Sequence, residues 1–238
     1  MRVFCWPYAG LGASLFVPWS RSAPESVGVY GIQAPGRESR ISEPAITYLP
    51  EMIERLVGAM AEEPGLFDAP YALVGCSFGA IASLELARAL PRAGLPAPVA
   101  MTVFACRAPH RVQPVGPFST LDDEALIDRL HHDYGGVPEA LRQQPELLRL
   151  FLPALRGDLA AMERYAPPAD GLPLACPIFA RGGDEDTQVP GDVLAEWTRW
   201  GGAGSDVRQG PGGHFLVRDK SPAALAETLR VLRPWLPS

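Results

Sequence analysis

Ser77 stands in the run Gly75-Cys76-Ser77-Phe78-Gly79, a spacing that can place a hydroxyl on a tight turn between a strand and a helix. A serine hydroxyl is a weak nucleophile at neutral pH. It needs a base, and the base needs a carboxylate to hold its tautomer. His214, in Gly210-Pro211-Gly212-Gly213-His214-Phe215, can be that base, and Asp184, Glu185 and Asp186 compete for the carboxylate. Taken singly, the pentapeptide is equally a tight turn capped by a serine, and His214 a capping or surface histidine. The order Ser, acid, His along the chain points to nucleophilic acyl chemistry, and it differs from the orders His, Asp, Ser and Asp, His, Ser of two other serine triads.

These residues must be delivered by the elements around them. Tyr71 to Val74 is short and apolar enough for a buried strand, and Ile81 to Leu90 reads as the helix that follows Ser77. Val3 to Trp6 and Val27 to Ile32 predict two earlier strands, and Tyr48 to Met60 a helix whose apolar residues recur at three and four. Val99 to Ala105 is a nearly continuous apolar run, the pattern of a parallel strand covered on both faces. The alternation predicts an α/β sheet with right-handed crossovers and a site at the carboxyl ends of the strands.

From Leu121 to about Tyr165 the pattern turns to helices alone, with more apolar residues than one core-facing stripe needs. We read 119–166 as a helical lid subdomain inserted in a single α/β domain spanning 1–238; packing of these helices directly on the sheet is the plainer alternative. His131 and His132 are adjacent on a helix, diverge by about 100° and cannot both face one metal, so they are read as surface. Alternation resumes with a strand over Pro177 to Gly183, a helix over Gly191 to Trp200 and a strand over Ser205 to Gln209. A closing amphipathic helix carries Leu225, Leu229, Leu232 and Trp235.

Composition narrows the function classes. The 238 residues are 47% hydrophobic and 20% charged, a globular balance, and the net charge of -6 with four scattered histidines gives no basic stripe for nucleic acid. No run of eighteen apolar residues exists, and the opening segment is broken by Pro7 and Gly10 too early for the apolar core of a signal peptide, so a soluble, cytoplasmic protein that does not engage a membrane is expected. Cys5, Cys76, Cys106 and Cys176 never form a C-x-x-C pair and sit in or beside apolar runs, so buried reduced thiols are expected and a metal site is not. Lys220 is the single lysine, and nothing around it suggests Schiff-base chemistry.

With these residues in view, the chain resembles the type II thioesterases of polyketide and nonribosomal peptide assembly lines, members of the α/β-hydrolase superfamily, over nearly its whole length. The opening P-[FY]-A-G-G of that family's first motif resembles Pro7-Tyr8-Ala9-Gly10-Leu11, with Gly12-Ala13-Ser14 following, and its P-G-R is matched by Pro35-Gly36-Arg37. Its lid signature is similar to Gly135-Gly136-Val137-Pro138 followed by Phe151-Leu152-Pro153-Ala154-Leu155-Arg156-Gly157-Asp158, and G-G-H-F stands as Gly212-Gly213-His214-Phe215. Two motifs depart from the family: Cys76 and Phe78 replace the His and Met of G-H-S-M-G, and Leu11 stands where a second glycine is common. Cys76 could be a second nucleophile, but it lies on the strand side of the turn rather than its apex, which favours a packed thiol.

The resemblance implies an acid three residues after the glycine that ends its strand, which selects Asp186 with Asp184 second. It also implies oxyanion donors at the backbone N–H groups of Ala9 and Phe78. The implied activity is hydrolysis of acyl thioesters on the phosphopantetheine of acyl or peptidyl carrier domains, with no cofactor, by a monomer that removes aberrant acyl groups. A product-releasing thioesterase, a small-molecule carboxylesterase and a non-catalytic binding protein of the same fold are the alternatives. An acidic carrier would have to be met by local arginines, for which Arg107, Arg111 and Arg218 are candidates.

Overall fold

The computed structural model describes residues 1–112, 118–135, 144–167 and 171–236. Six strands form one sheet in the order β2-β1-β3-β4-β5-β6: β1 Arg2–Trp6, β2 Gly28–Gly31, β3 Tyr71–Cys76, β4 Ala100–Phe104, β5 Ile178–Gly183 and β6 Asp206–Gly210. All five pairings are parallel, with Trp6 opposite Gly75 and Cys76 opposite Phe104 at the carboxyl ends. Strand order reverses between β1 and β3, and it is there that Ser77 leaves the sheet.

Side chains alternate across the sheet and build a core on each face. Phe4, Trp6, Leu73, Met101 and Ile178 pack against α2 (Leu49–Glu62) and α3 (Phe78–Arg92), while Val3, Cys5, Val74, Cys76 and Phe179 face α1 (Val17–Ser22) and the last long helix, α8 (Ser221–Leu232). β3 and β4 are buried at every residue, as continuous apolar runs in a covered parallel sheet should be. Fully burying one such Leu or Val contributes roughly 1.5–3 kcal/mol. The four cysteines are free and buried.

Between β4 and β5 the described elements are all helical: 3₁₀ turns at Pro109–Arg111 and Phe118–Thr120, α4 over Asp123–Tyr134 and α5 over Pro145–Glu163. Asp122 caps α4 by accepting the Ala125 N–H at 2.8 Å, and Gly135, in the left-handed region at φ 64°, ends it. Phe118, Leu126, Ile127, Leu152 and Leu155 form a small core of their own beneath these helices. Gly136, Val137 and Pro138 of the expected lid signature lie outside the described residues.

Local boundaries differ from the sequence reading where an α-helix passes into a 3₁₀ turn. The helix expected over 191–200 is α6, Gly191–Ala195, followed by a 3₁₀ turn over Glu196–Arg199 that buries Trp197 and lets its Nε1–H donate to the Cys106 carbonyl at 2.7 Å. The closing helix stops at Leu232, and Trp235 sits in a further 3₁₀ turn. Among the described residues no helix is long and apolar enough to cross a membrane.

Candidate active site

Ser77 joins β3 to α3 in a conformation L-residues seldom adopt, φ 51° and ψ -115°. Its N–H donates to the Phe104 carbonyl at 2.8 Å and its own carbonyl accepts from Ala80 at 2.9 Å, so the turn is held from both sides. The flanking glycines are steric necessities. A Cβ on Gly75 would run into the Gly79 carbonyl and Ala80, and one on Gly79 into the carbonyls of Trp6 and Pro7.

His214 lies on the segment after β6 and Asp186 on the loop after β5. His214 Nδ1 is 2.8 Å from Asp186 Oδ2, and its Nε2 is 3.0 Å from Ser77 Oγ. The carboxylate only accepts, so the ring proton sits on Nδ1 and Nε2 is free to accept from the Ser77 hydroxyl. Asp186 Oδ1 takes the N–H groups of Gln188 at 3.0 Å and Val189 at 3.2 Å, which orients the carboxylate. Asp186 and His214 are each 6% exposed, so the pair is shielded from water.

Of the three competing acids, Asp186 alone reaches the imidazole. Asp184 and Glu185 are exposed. Asp184 instead accepts the Gly212 N–H at 3.1 Å, and the N–H groups of Asp184 and Glu185 donate to the Gly210 and Gly212 carbonyls at 2.9 and 3.0 Å, stitching the His214 segment to the Asp186 loop. The glycine-rich segment is therefore tied down. Tyr8, Tyr134 and Phe215 surround the imidazole with ring centroids at 5.9, 4.7 and 5.3 Å. Tyr134, at the end of α4, has no counterpart in the sequence-level site; only the meeting of helix and sheet-end loop in space reveals it.

Ser77 and His214 open into a cavity of about 520 Å³ whose far walls are apolar, with Leu130, Phe151, Leu155, Leu159 and Met162 from α4 and α5. Ala9 and Phe78 line it too. Among the described residues neither of their N–H groups has a hydrogen-bond acceptor. Arg107 and Arg218 lie on its wall, with the Arg218 guanidinium 4.2 Å from the Phe215 ring centroid and its Nε donating to Asp219 at 2.6 Å; Arg111 is off that wall and engaged by Glu196 at 2.7 Å. A second concavity of about 570 Å³, between α2, α3 and the end of α5, has no Ser, Cys or His on its described walls, so chemistry rather than size singles out the first.

Burial pushes the Cys76 thiol well above its ordinary range, with the Cys5 and Cys106 thiols adding to the effect. A thiol that stays protonated and fully buried is not a nucleophile. Among the described residues no group of three His, Cys, Asp or Glu side chains is placed to hold a metal.

A parallel sheet that presents a serine at a strained strand-to-helix turn, with acid and histidine on the loops after two later strands, is the α/β-hydrolase fold. Residues 1–232 match the family described as thioesterase domain, and the chain belongs to that family: it is a hydrolase of thioester bonds. GrsT, a gramicidin S biosynthesis protein of Aneurinibacillus migulanus, is 36% identical over 218 residues, covering 91% of this chain and 83% of GrsT. The thioesterase PikA5 of Streptomyces venezuelae is 36% identical over 220 residues, 92% of this chain and 76% of PikA5. Among solved structures, the type II thioesterase BorB from the borrelidin biosynthetic cluster superposes with a TM-score of 0.80 at 31% identity, over 98% of this chain and 91% of BorB.

Proposed function

We propose that the protein hydrolyses acyl thioesters carried on the phosphopantetheine arm of acyl or peptidyl carrier domains, and that it serves a polyketide or nonribosomal peptide synthase by clearing stalled acyl groups. The observation that carries this reading is the Asp186, His214 and Ser77 hydrogen-bonded chain opening onto an apolar cavity in a chain of the thioesterase family. The editing role rests on likeness to proteins named as type II thioesterases.

In the reaction, Ser77 Oγ attacks the thioester carbonyl carbon as its proton passes to His214 Nε2. The negative charge that develops on the carbonyl oxygen is met by the N–H groups of Ala9 and Phe78. Collapse breaks the C–S bond and the thiolate takes the proton from His214. Thiols have a pKa of about 8.5, so departure needs little acid assistance, and most of the electrostatic burden in acylation falls on the two N–H donors. Water, deprotonated by His214, then attacks the acyl-serine carbonyl, and collapse breaks the C–Oγ bond as Ser77 Oγ takes the proton back from His214, releasing the acid. Residues 119–166 act as the lid, with α4 and α5 forming the acyl pocket. The protein works without a cofactor, as a cytoplasmic monomer.

Ser77→Ala is expected to abolish hydrolysis of an acyl-loaded carrier protein, followed by intact mass, while keeping the circular dichroism of the parent. Turnover retained in that variant would remove Ser77 from the mechanism. Matched carrier-bound, N-acetylcysteamine and oxyester substrates should be hydrolysed in that order of preference; an oxyester preference rejects the carrier reading in favour of a small-molecule carboxylesterase.

A further inference from the structure

The loop after β1, which brings Ala9 to the cavity, is held by acceptors from three other segments. Gly10 N–H donates to Asp158 Oδ2 at 2.8 Å, Ala13 N–H to Gln33 Oε1 at 2.7 Å and Ser14 N–H to Glu38 Oε2 at 3.1 Å. The first of these is the one next to the reaction centre. Asp158 lies on α5, 148 residues away in sequence and fully buried. Arg37 grips it in a fork, Nη1 to Oδ2 at 2.5 Å and Nη2 to Oδ1 at 2.9 Å, and also donates to the carbonyls of Leu11 and Pro35, each at 3.3 Å.

A buried ion pair of this kind is poor evidence for added stability, because desolvating both charges offsets much of their attraction. What it supplies is geometry. Holding the Gly10 N–H fixes the peptide plane between Ala9 and Gly10, and the preceding Tyr8–Ala9 peptide, which carries the Ala9 N–H, is held through its carbonyl, which accepts from Leu11 at 3.1 Å; the two planes together set where the Ala9 N–H points. Gly10 is at φ 75°, and a Cβ there would lie 2.8 Å from the Phe151 ring and 2.9 Å from Leu155 Cβ, so the loop is also pressed against α5. Oxyanion donors act only when aimed beforehand, within a few tenths of an ångström of the position the charged oxygen will take.

We propose that Asp158, held by Arg37, is a positioning residue for the oxyanion donor Ala9, so that α5 from Phe151 to Asp158 is the part of the lid subdomain that stays fixed against the reaction centre. The inference rests on the proposed role of the Ala9 N–H. It predicts that the Gly10 acceptor, not the charge pair as such, matters for rate.

Two double variants separate these. Arg37→Met/Asp158→Leu removes both buried charges and the acceptor; Arg37→Met/Asp158→Asn removes both charges but keeps a carbonyl oxygen for Gly10. With an acyl N-acetylcysteamine thioester as substrate, the first should lose about 10- to 100-fold in kcat with KM changed by less than about threefold. The second should stay within about fivefold of the parent. An alkyl boronic acid, whose adduct with Ser77 puts an oxygen where the oxyanion forms, should bind the first variant more weakly by the same factor that kcat/KM falls, while a thioether analogue binds both variants alike. Equal kcat in the two variants, or a loss confined to KM, overturns the proposal. If Arg37→Met/Asp158→Leu does not fold, Arg37→Met/Asp158→Ala takes its place in the same comparison. Ser77→Ala, run in parallel, separates the two levels: an inactive Ser77→Ala beside a parent-like first double variant rejects the positioning role alone, whereas an active Ser77→Ala rejects the hydrolytic reading beneath it.

Discussion

Two buried carboxylates serve the same cavity and are held in opposite ways. Asp186 spends one oxygen on the N–H groups of Gln188 and Val189 and offers the other to His214, which in the proposed mechanism gains and loses a proton in every turnover. Asp158 gives both oxygens to Arg37, which never changes charge, and one of them also to Gly10. Burial raises the affinity of Asp158 for a proton, and Arg37 and the Gly10 N–H pull the other way. In the roles proposed above, one carboxylate is tied to the movement of protons and the other to the fixing of a loop, and the difference can be broken by substitution.

The largest effect is expected at Asp186. In Asp186→Asn the amide can donate to His214 Nδ1, which drives the ring proton to Nε2 and leaves nothing to accept from Ser77. A fall in kcat of roughly 10³- to 10⁴-fold with little change in KM is expected in steady-state hydrolysis. A loss of less than tenfold would make Asp186 an ordinary structural acid and erase the contrast with Asp158. The Asp158 double variant falls next in size, and it sharpens the contrast through pH: Arg37→Met/Asp158→Leu should lower the rate by one factor at every pH, leaving the shape of the profile unchanged. A changed shape would tie Asp158 to proton transfer.

How far each carboxylate could be read from the sequence follows the same division. The Ser77 turn was legible because its strain imposes glycine at two fixed offsets and its strand must be apolar on both faces. His214 was legible from its place after the last strand. Asp186 was not separable from Asp184 and Glu185 by residue type; family spacing selected it, and what distinguishes it physically, two N–H donors on one oxygen and burial, exists only in the folded loop. Arg37 and Asp158 each stand in a recognisable motif, but they are 121 residues apart and nothing in either motif points to the other. The helices α4 and α5 were legible from their periodicity, whereas the break at Glu196 was not, because Trp197 and Trp200 continue the apolar pattern through the 3₁₀ turn.

Cys76 tests whether a buried group beside the nucleophile must take part at all. It is fully buried with its thiol held protonated, so Cys76→Ala should keep kcat/KM within about twofold and lower stability by roughly 1 kcal/mol in chemical denaturation. A rate loss above tenfold in a variant that still folds would make Cys76 a participant.

A third carboxylate sets the lower end of the comparison, since it is held as firmly as the other two but at the surface and away from the cavity. Glu196 accepts from Arg111 Nη2 at 2.7 Å and from Arg111 Nε at 2.9 Å, and it also meets His110 Nε2. Trp200 Nε1–H donates to His110 Nδ1 at 3.0 Å, which assigns the proton of the neutral ring to Nε2, facing the carboxylate. Arg111 chiefly, then His110, hold the Glu196 carboxyl down to about 2 from its ordinary 4.5. The folded value is the lower one, so the pairing stabilises the fold above about pH 4.5, and that contribution is lost as pH falls toward 2. Glu196→Gln should therefore melt below the parent at pH 6, with the gap closing as the pH approaches 2, and its hydrolysis rate at pH 7 should match the parent. A gap of equal size at both pH values would assign the contribution to packing instead of charge. A fall in rate would mean that the segment after β4, which carries Arg107 and Val112 to the cavity wall, transmits surface pairing to the site.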